Sequence, residues 1–263
     1  MSSEPGIDVA IDARGVATVT LANAAKLNTL NTPVMRKLVA AVQQLGRDET
    51  LRAVVLGGAG DRAFIGGADI TEMASLDPNS ARAFISLVHR SCDVFRRMPV
   101  PVIARIRGYV FGAGVEVAAA CDMRVACTDA QFGMPEVRLG VPSVVEAALL
   151  PQLIGWGRTR QWLLTGDTID AATAHAWGLV EQVVPPEQLD AAVERLLGSI
   201  LASGPRAIRL QKALITAWED LPLREAIQRG IDSFAASWRT DEPQQMMRQF
   251  VDRKRTRGKP EDR

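Results

Sequence analysis

The sequence predicts an α/β core with mainly parallel strands, followed by a helical tail. Three observations carry this reading. The stretch from 100 to 127 passes through strand, helix and strand in about thirty residues, the βαβ rhythm of a sheet with crossover helices. The segments "DVAID" (8–12) and "VATVTLA" (16–22) alternate apolar and polar residues around Arg14-Gly15, as a hairpin does. Beyond about residue 143 strand patterns almost vanish and helical ones follow one another.

The elements follow in order. After the hairpin and the loop "NAAKLNTLN", Thr32 is placed to cap a helix with Pro33 at its first position. Val34, Leu38, Val42 and Leu45 give that helix its apolar stripe to about 46. "AVVLGG" (53–58) is a short apolar strand closing on glycine. A helix over 80–97 stops before Pro99. "VPVIARIRG" (100–108) and "MRVAC" (123–127) read as buried strands around the helix of "FGAGVEVAAACD" (111–122). Helical patterns then cover 143–152, 157–165, 170–176, 186–202, 204–218, 222–238 and 241–256, broken by the strand-like "LVEQVV" (179–184). This divides the chain into a core, 1–185, and a helical region, 186–263, whose apolar faces a neighbouring subunit would cover.

Composition narrows the function. The 263 residues carry a net charge of +1, and 47% of them are hydrophobic, as in an ordinary globular protein. Neither a nucleic-acid nor a membrane partner is expected from that balance, and the basic run "RKRTRGK" (253–259) reads as a solvated helix end. Cys92, Cys121 and Cys127 are odd in number and irregular in spacing, which suits a reducing compartment and offers no zinc motif. The first residues have neither a basic start nor an apolar run, so no signal peptide is expected and a cytoplasmic location is.

Common signatures are missing. There is no P-loop, no complete G-x-G-x-x-G and no G-x-S-x-G elbow. His89 and His175 lie in helical patterns without an evident partner and read as structural or surface residues. Two glycine-rich turns remain, "RAFIGGADI" (62–70) and "GYVFGAGVEV" (108–117). Each could offer a main-chain N–H to one oxygen, an oxyanion hole worth roughly 3–4 kcal/mol per donor; both could equally be tight strand-to-helix turns. Glu116 falls in the first turn of a helix suited to burial, and an unpartnered buried carboxylate is costly. Glu136 follows in "AQFGMPEVRLG" (130–140), between apolar residues. Two such carboxylates near an oxyanion hole would form an acid/base pair, unless Glu136 merely bonds Arg138.

"RAFIGGADITEM", "GYVFGAGVEVAAACDMRVAC", "AQFGMPEVRLGVP" and "LLTGDTIDAATAHAWGLVEQVV" together resemble the enoyl-CoA hydratase/isomerase (crotonase) superfamily in order and spacing. The resemblance implies a ββα spiral core with a C-terminal helical oligomerisation region, assembled as a trimer or a dimer of trimers. It implies an acyl-CoA thioester substrate and no cofactor, coenzyme A being part of the substrate, and no metal. The matching oxyanion donors are the N–H groups of Ala68 and Ala113, and the matching acid/base glutamates are Glu116 and Glu136. Lys26, Leu27 and Leu30 match the stretch around the CoA nucleotide, Gly66 and Ile70 flank the first donor, and Gly112 precedes the second. Phe250 and Arg253 match a C-terminal segment that reaches CoA.

The implied activity is hydration of a 2-enoyl-CoA across C2=C3, with Glu136 shuttling the proton to C2 and Glu116 holding and activating the water. The chain departs from typical hydratases after Glu136, reading "GVPSVVEAALLP" (140–151) without their glycines and one residue shorter before the proline. That segment lies beside the water and the acyl group, so a double-bond isomerase stays open as an alternative. An RNA-binding role would need a lysine-rich first helix, where only Arg36 and Lys37 stand. Ile70, Met73, Met134, Val141, Ser143, Val144 and Trp156 are the acyl-pocket candidates.

Overall fold

A computed structural model describes residues 6–257, with side chains through 252. The hairpin forms β1 (Gly6–Ile11) and β2 (Val16–Ala22), paired antiparallel with Ile7 opposite Leu21. Next come α1 (Thr32–Leu45), β3 (Ala53–Gly58), β4 (Ala63–Ile65), α2 (Ile70–Met73) and α3 (Pro78–Arg96). Then follow β5 (Val102–Ile106), β6 (Tyr109–Phe111), α4 (Ala113–Ala120), β7 (Met123–Cys127) and β8 (Gln131–Gly133). The chain continues through α5 (Leu150–Thr165), β9 (Thr168–Asp170), α6 (Ala171–Trp177), β10 (Gln182–Val184) and α7 (Leu189–Leu201). The last helices are α8 (Pro205–Trp218), α9 (Leu223–Ser237) and α10 (Glu242–Arg257).

Two sheets alternate along the chain. The larger has the order β1-β2-β3-β5-β7-β10, parallel from β2 onward. The smaller has the order β4-β6-β8-β9, with β4, β6 and β8 parallel and β9 antiparallel. The chain runs from a strand of the large sheet to a strand of the small one before it turns into a helix, as in β3–β4–α3 and β5–β6–α4. Successive units stack by parallel pairing, which makes a spiral of ββα turns. The core strands β3 and β5 are buried along nearly their whole length, as strands covered on both faces are. Leu21, Leu56, Val102 and Ile106 pack with Leu38 of α1 and Phe95 of α3 in one apolar cluster.

Some boundaries differ from those predicted. Asn31, not Thr32, caps α1: its side chain accepts the Val34 N–H at 3.0 Å, and Thr32 is the first helical residue. Asp77 begins α3 earlier than the apolar pattern suggests, through a capping box with Ser80. The helix expected over 143–152 is a 3-10 turn at Val145–Leu149 leading into α5, which bends at Gly155 (φ 80°) and runs on to Thr165. The strands of the small sheet escape the sequence reading because three residues carry no usable periodicity.

The chain divides into two compact units, one ending at Gly198 and the other beginning at Ser199. Within the second, Glu242 accepts the N–H groups of Arg206 and Ala207 and so caps α8, and Trp218 donates to Ala226 O at 3.0 Å. Among the described residues, no helix is long and apolar enough to cross a membrane, and no three His, Cys, Asp or Glu residues group as metal ligands.

Candidate active site

The small sheet gathers the chemistry. β4, β6 and β8 lie side by side in parallel, so the turns leaving their C-terminal ends converge. Those turns carry Ala68, Ala113 with Glu116, and Glu136, and all four line one cavity of about 620 Å³.

The first turn is tied to the loop before α1. Leu30 N–H bonds Gly67 O at 2.8 Å, and Asp69 N–H bonds Leu30 O at 2.9 Å. This is a parallel bridge between Leu30 and Ala68. In such a bridge the middle residue's own N–H points away from its partner. Ala68 N–H therefore has no acceptor among the described residues, and Ala68 lines the cavity. Asn28, fully buried with φ 55°, holds the loop in turn by donating to Ala59 O and Ala63 O.

The second candidate donor is Ala113 N–H, at the N-terminus of α4, where the first amides of a helix have no intrahelical acceptor. Gly112 makes this entry possible at φ 50°, and a Cβ there would sit 2.6 Å from Glu136 Oε1. A Cβ on Gly114 would lie 2.2 Å from Ile65 O, so the two turns touch through backbone. All eight residues of α4 are buried. At its other end the buried Arg124 guanidinium donates to Ala118 O (3.1 Å) and Cys121 O (2.8 Å), satisfying the helix C-terminus.

Glu116 is 4% exposed. Burial pushes its carboxyl up to about 8, and the negative charges of Glu136 and Glu146 add to that. Main-chain N–H groups of Ala147 and Val144 act in the opposite sense by bonding the carboxylate. Glu136 is half-buried, and its Oε2 accepts Ser143 Oγ–H at 2.8 Å. It is not bonded to Arg138, whose guanidinium pairs with Asp167 and donates to Thr165 O. The cavity is therefore lined by two residues whose amides have no acceptor among the described residues and by two carboxyl groups, a set able to stabilise an enolate and move protons on the neighbouring carbons.

The sequence pattern of the enoyl-CoA hydratase/isomerase family matches residues 12–259. The chain belongs to this family. A crotonyl-CoA hydratase from Syntrophomonas wolfei is 34% identical over 87% of this chain and 88% of its own length. A short-chain-enoyl-CoA hydratase from Clostridium acetobutylicum is 32% identical over 92% and 94%. The crystal structure of an enoyl-CoA hydratase from Mycobacterium smegmatis superposes with a TM-score of 0.91 at 29% identity, covering 95% of this chain and 97% of that one. The crotonase fold expected from the resemblance is thus the fold observed.

In this family member the remaining predicted residues fall as follows. Gly66, Ile70 and Gly112 line the cavity. Gly66 N–H is used by Leu27 O at 2.8 Å, so Leu27 and Leu30 hold the first turn by backbone, and the Leu30 side chain is in the core. Lys26 is exposed on the same loop, and Phe250 is exposed on α10. The side chain of Arg253 lies outside the described residues. Of the acyl-pocket candidates, Ile70, Met73, Val141 and Val144 line the cavity. Three do not: Met134 is fully buried away from it, Ser143 turns to Glu136, and Trp156 is exposed on α5. The sequence reading passed over Phe84, Ile85 and Val88, which extend the apolar wall from α3; their helical spacing could have suggested it. It also gave no role to Glu146 and no partner to His89, and these two are bonded to each other.

Proposed function

We propose that the chain is an enoyl-CoA hydratase that adds water across the C2=C3 bond of a 2-enoyl-CoA thioester. The observation that carries this is the meeting of the Ala68 and Ala113 amides with Glu116 and Glu136 in one cavity. The thioester oxygen sits between the amides, which stabilise the enolate formed as water attacks C3.

In the free site Glu116 holds a proton. It passes through the bound water to Glu136. Glu116 then takes a proton from that water as its oxygen attacks C3, and Glu136 gives its proton to C2. The pair returns with its proton on Glu116. Atoms and charge balance with coenzyme A as the handle and no redox or metal cofactor. The apolar wall from Met73 to Val88 receives the acyl chain. A homo-oligomer is part of the reading: α9 leaves Leu223, Ile227, Ile231 and Phe234 exposed on one stripe, which a second copy would cover.

A panel of short, long, branched and aromatic 2-enoyl-CoA thioesters, followed by loss of the conjugated absorbance, tests the activity. A 3-enoyl-CoA that rearranges while no 2-enoyl-CoA is hydrated would replace this reading with the isomerase. Light scattering gives the oligomeric state, and a monomer refutes that part.

A further inference from the structure

Behind Glu116 lies a second polar cluster that does not line the cavity. The turn Val145–Leu149 packs on both α4 and α3. Its first residue, Val145, has φ 42°, the one β-branched residue with a left-handed backbone among the described residues. A β-branched side chain takes up that conformation only when its surroundings impose it. The bend packs against α4, where the Val144 and Ala147 amides act on Glu116 as donors that favour its charged form, the Ala147 N–H also closing the bend on Val144 O at 2.9 Å. The next residue, Glu146, is 7% exposed, and its Oε1 accepts His89 Nδ1–H at 2.7 Å. Its Oε2 is buried beside the Cys92 thiol without a hydrogen bond of good geometry among the described residues. His89 stands on α3 with its ring half exposed.

We propose that the Glu146–His89 pair is a positioning element for Glu116: it fastens the strained 144–147 bend to α3, holds two main-chain amides on the Glu116 carboxylate, and places a third negative charge behind it. The inference rests on the acid/base role of Glu116 in the hydratase reading. When Glu116 gives up its proton to become the base, the two amides stabilise the charge that forms. The ionisable groups around the clamp are Cys92 and Asp93 from α3, Glu116 from α4, and Glu136 from the turn after β8.

Two readouts test it. Glu146→Gln keeps the size and the bond to His89 but removes the charge, so the alkaline limb of the pH–rate profile moves down by roughly half a pH unit or more, with KM unchanged. His89→Ala releases the bend, so kcat falls about tenfold with KM held and the alkaline limb moves up. His89→Gln restores kcat through its amide donor. Val145→Gly added to His89→Ala also restores it, because glycine holds the bend without a clamp. Titration of Glu116 is followed apart from turnover as the carboxyl infrared band lost on adding Glu116→Gln. A wild type that hydrates enoyl-CoA, with limb and band unmoved by Glu146→Gln, overturns the clamp. Unchanged kinetics in His89→Ala overturn it as well. A wild type that hydrates nothing, while the band still moves, overturns the hydratase reading alone.

Discussion

Replacing Glu116 by glutamine is expected to stabilise the protein at neutral and alkaline pH while stopping its chemistry. In the folded chain burial lifts the Glu116 carboxyl from 4.5 to about 8. Below pH 4.5 both folded and unfolded chains keep the proton, and the group costs nothing. As pH rises from there the unfolded chain releases the proton and gains free energy that the folded chain does not, so stability is lost steadily until about pH 8. Above that both forms are ionised and the loss is constant. Three and a half pH decades at about 1.4 kcal/mol each put the ceiling near 5 kcal/mol. Imperfect hydrogen bonding of the new amide and water entry reduce it, and about half surviving corresponds to a melting temperature higher by roughly 5–10 °C. Thermal melts of wild type and Glu116→Gln from pH 4.5 to 8.5, at equal protomer concentration, measure the difference directly. A gap that does not widen between pH 5 and 8 refutes the buried, proton-holding carboxyl.

Other outcomes follow from the same geometry. Glu136→Gln lowers kcat by at least ~10²-fold, as loss of a general acid–base group does, with the fold intact by circular dichroism. Ser143→Ala frees one Glu136 oxygen and costs less, about two- to tenfold in kcat with little change in KM. In Gly112→Ala the new methyl meets Glu136 Oε1, so kcat falls on the order of 10²-fold in a protein that still binds CoA by calorimetry. The rate for wild type declines as pH passes about 8, where the pair loses the proton that C2 must receive.

The sequence made the large sheet legible because β2, β3, β5 and β7 have five to seven residues of clear pattern, and the helices because their stripes repeat over several turns. It placed Ala68, Ala113, Glu116 and Glu136 through glycine turns and family spacing. Why those turns meet was hidden, since the pairing of β4, β6 and β8 is written in three-residue strands. Leu30 shows the same limit: an apolar residue in a loop gives no sign that its backbone bridges Ala68. Nor could chain order show that His89 and Glu146, fifty-seven residues apart, share a hydrogen bond.

The side-by-side strand ends decide what substitution can change. The two amides proposed to activate the carbonyl belong to turns locked backbone to backbone, where hardly any atom can be added. The carboxyl groups proposed to move protons are side chains, Glu116 on α4 and Glu136 on the next turn, with Ser143 and the bend around them, and side chains can be exchanged. Electrophile activation on this scaffold is thus hard to alter by substitution, whereas residues 136–147 can be rewritten without disturbing the backbone grip.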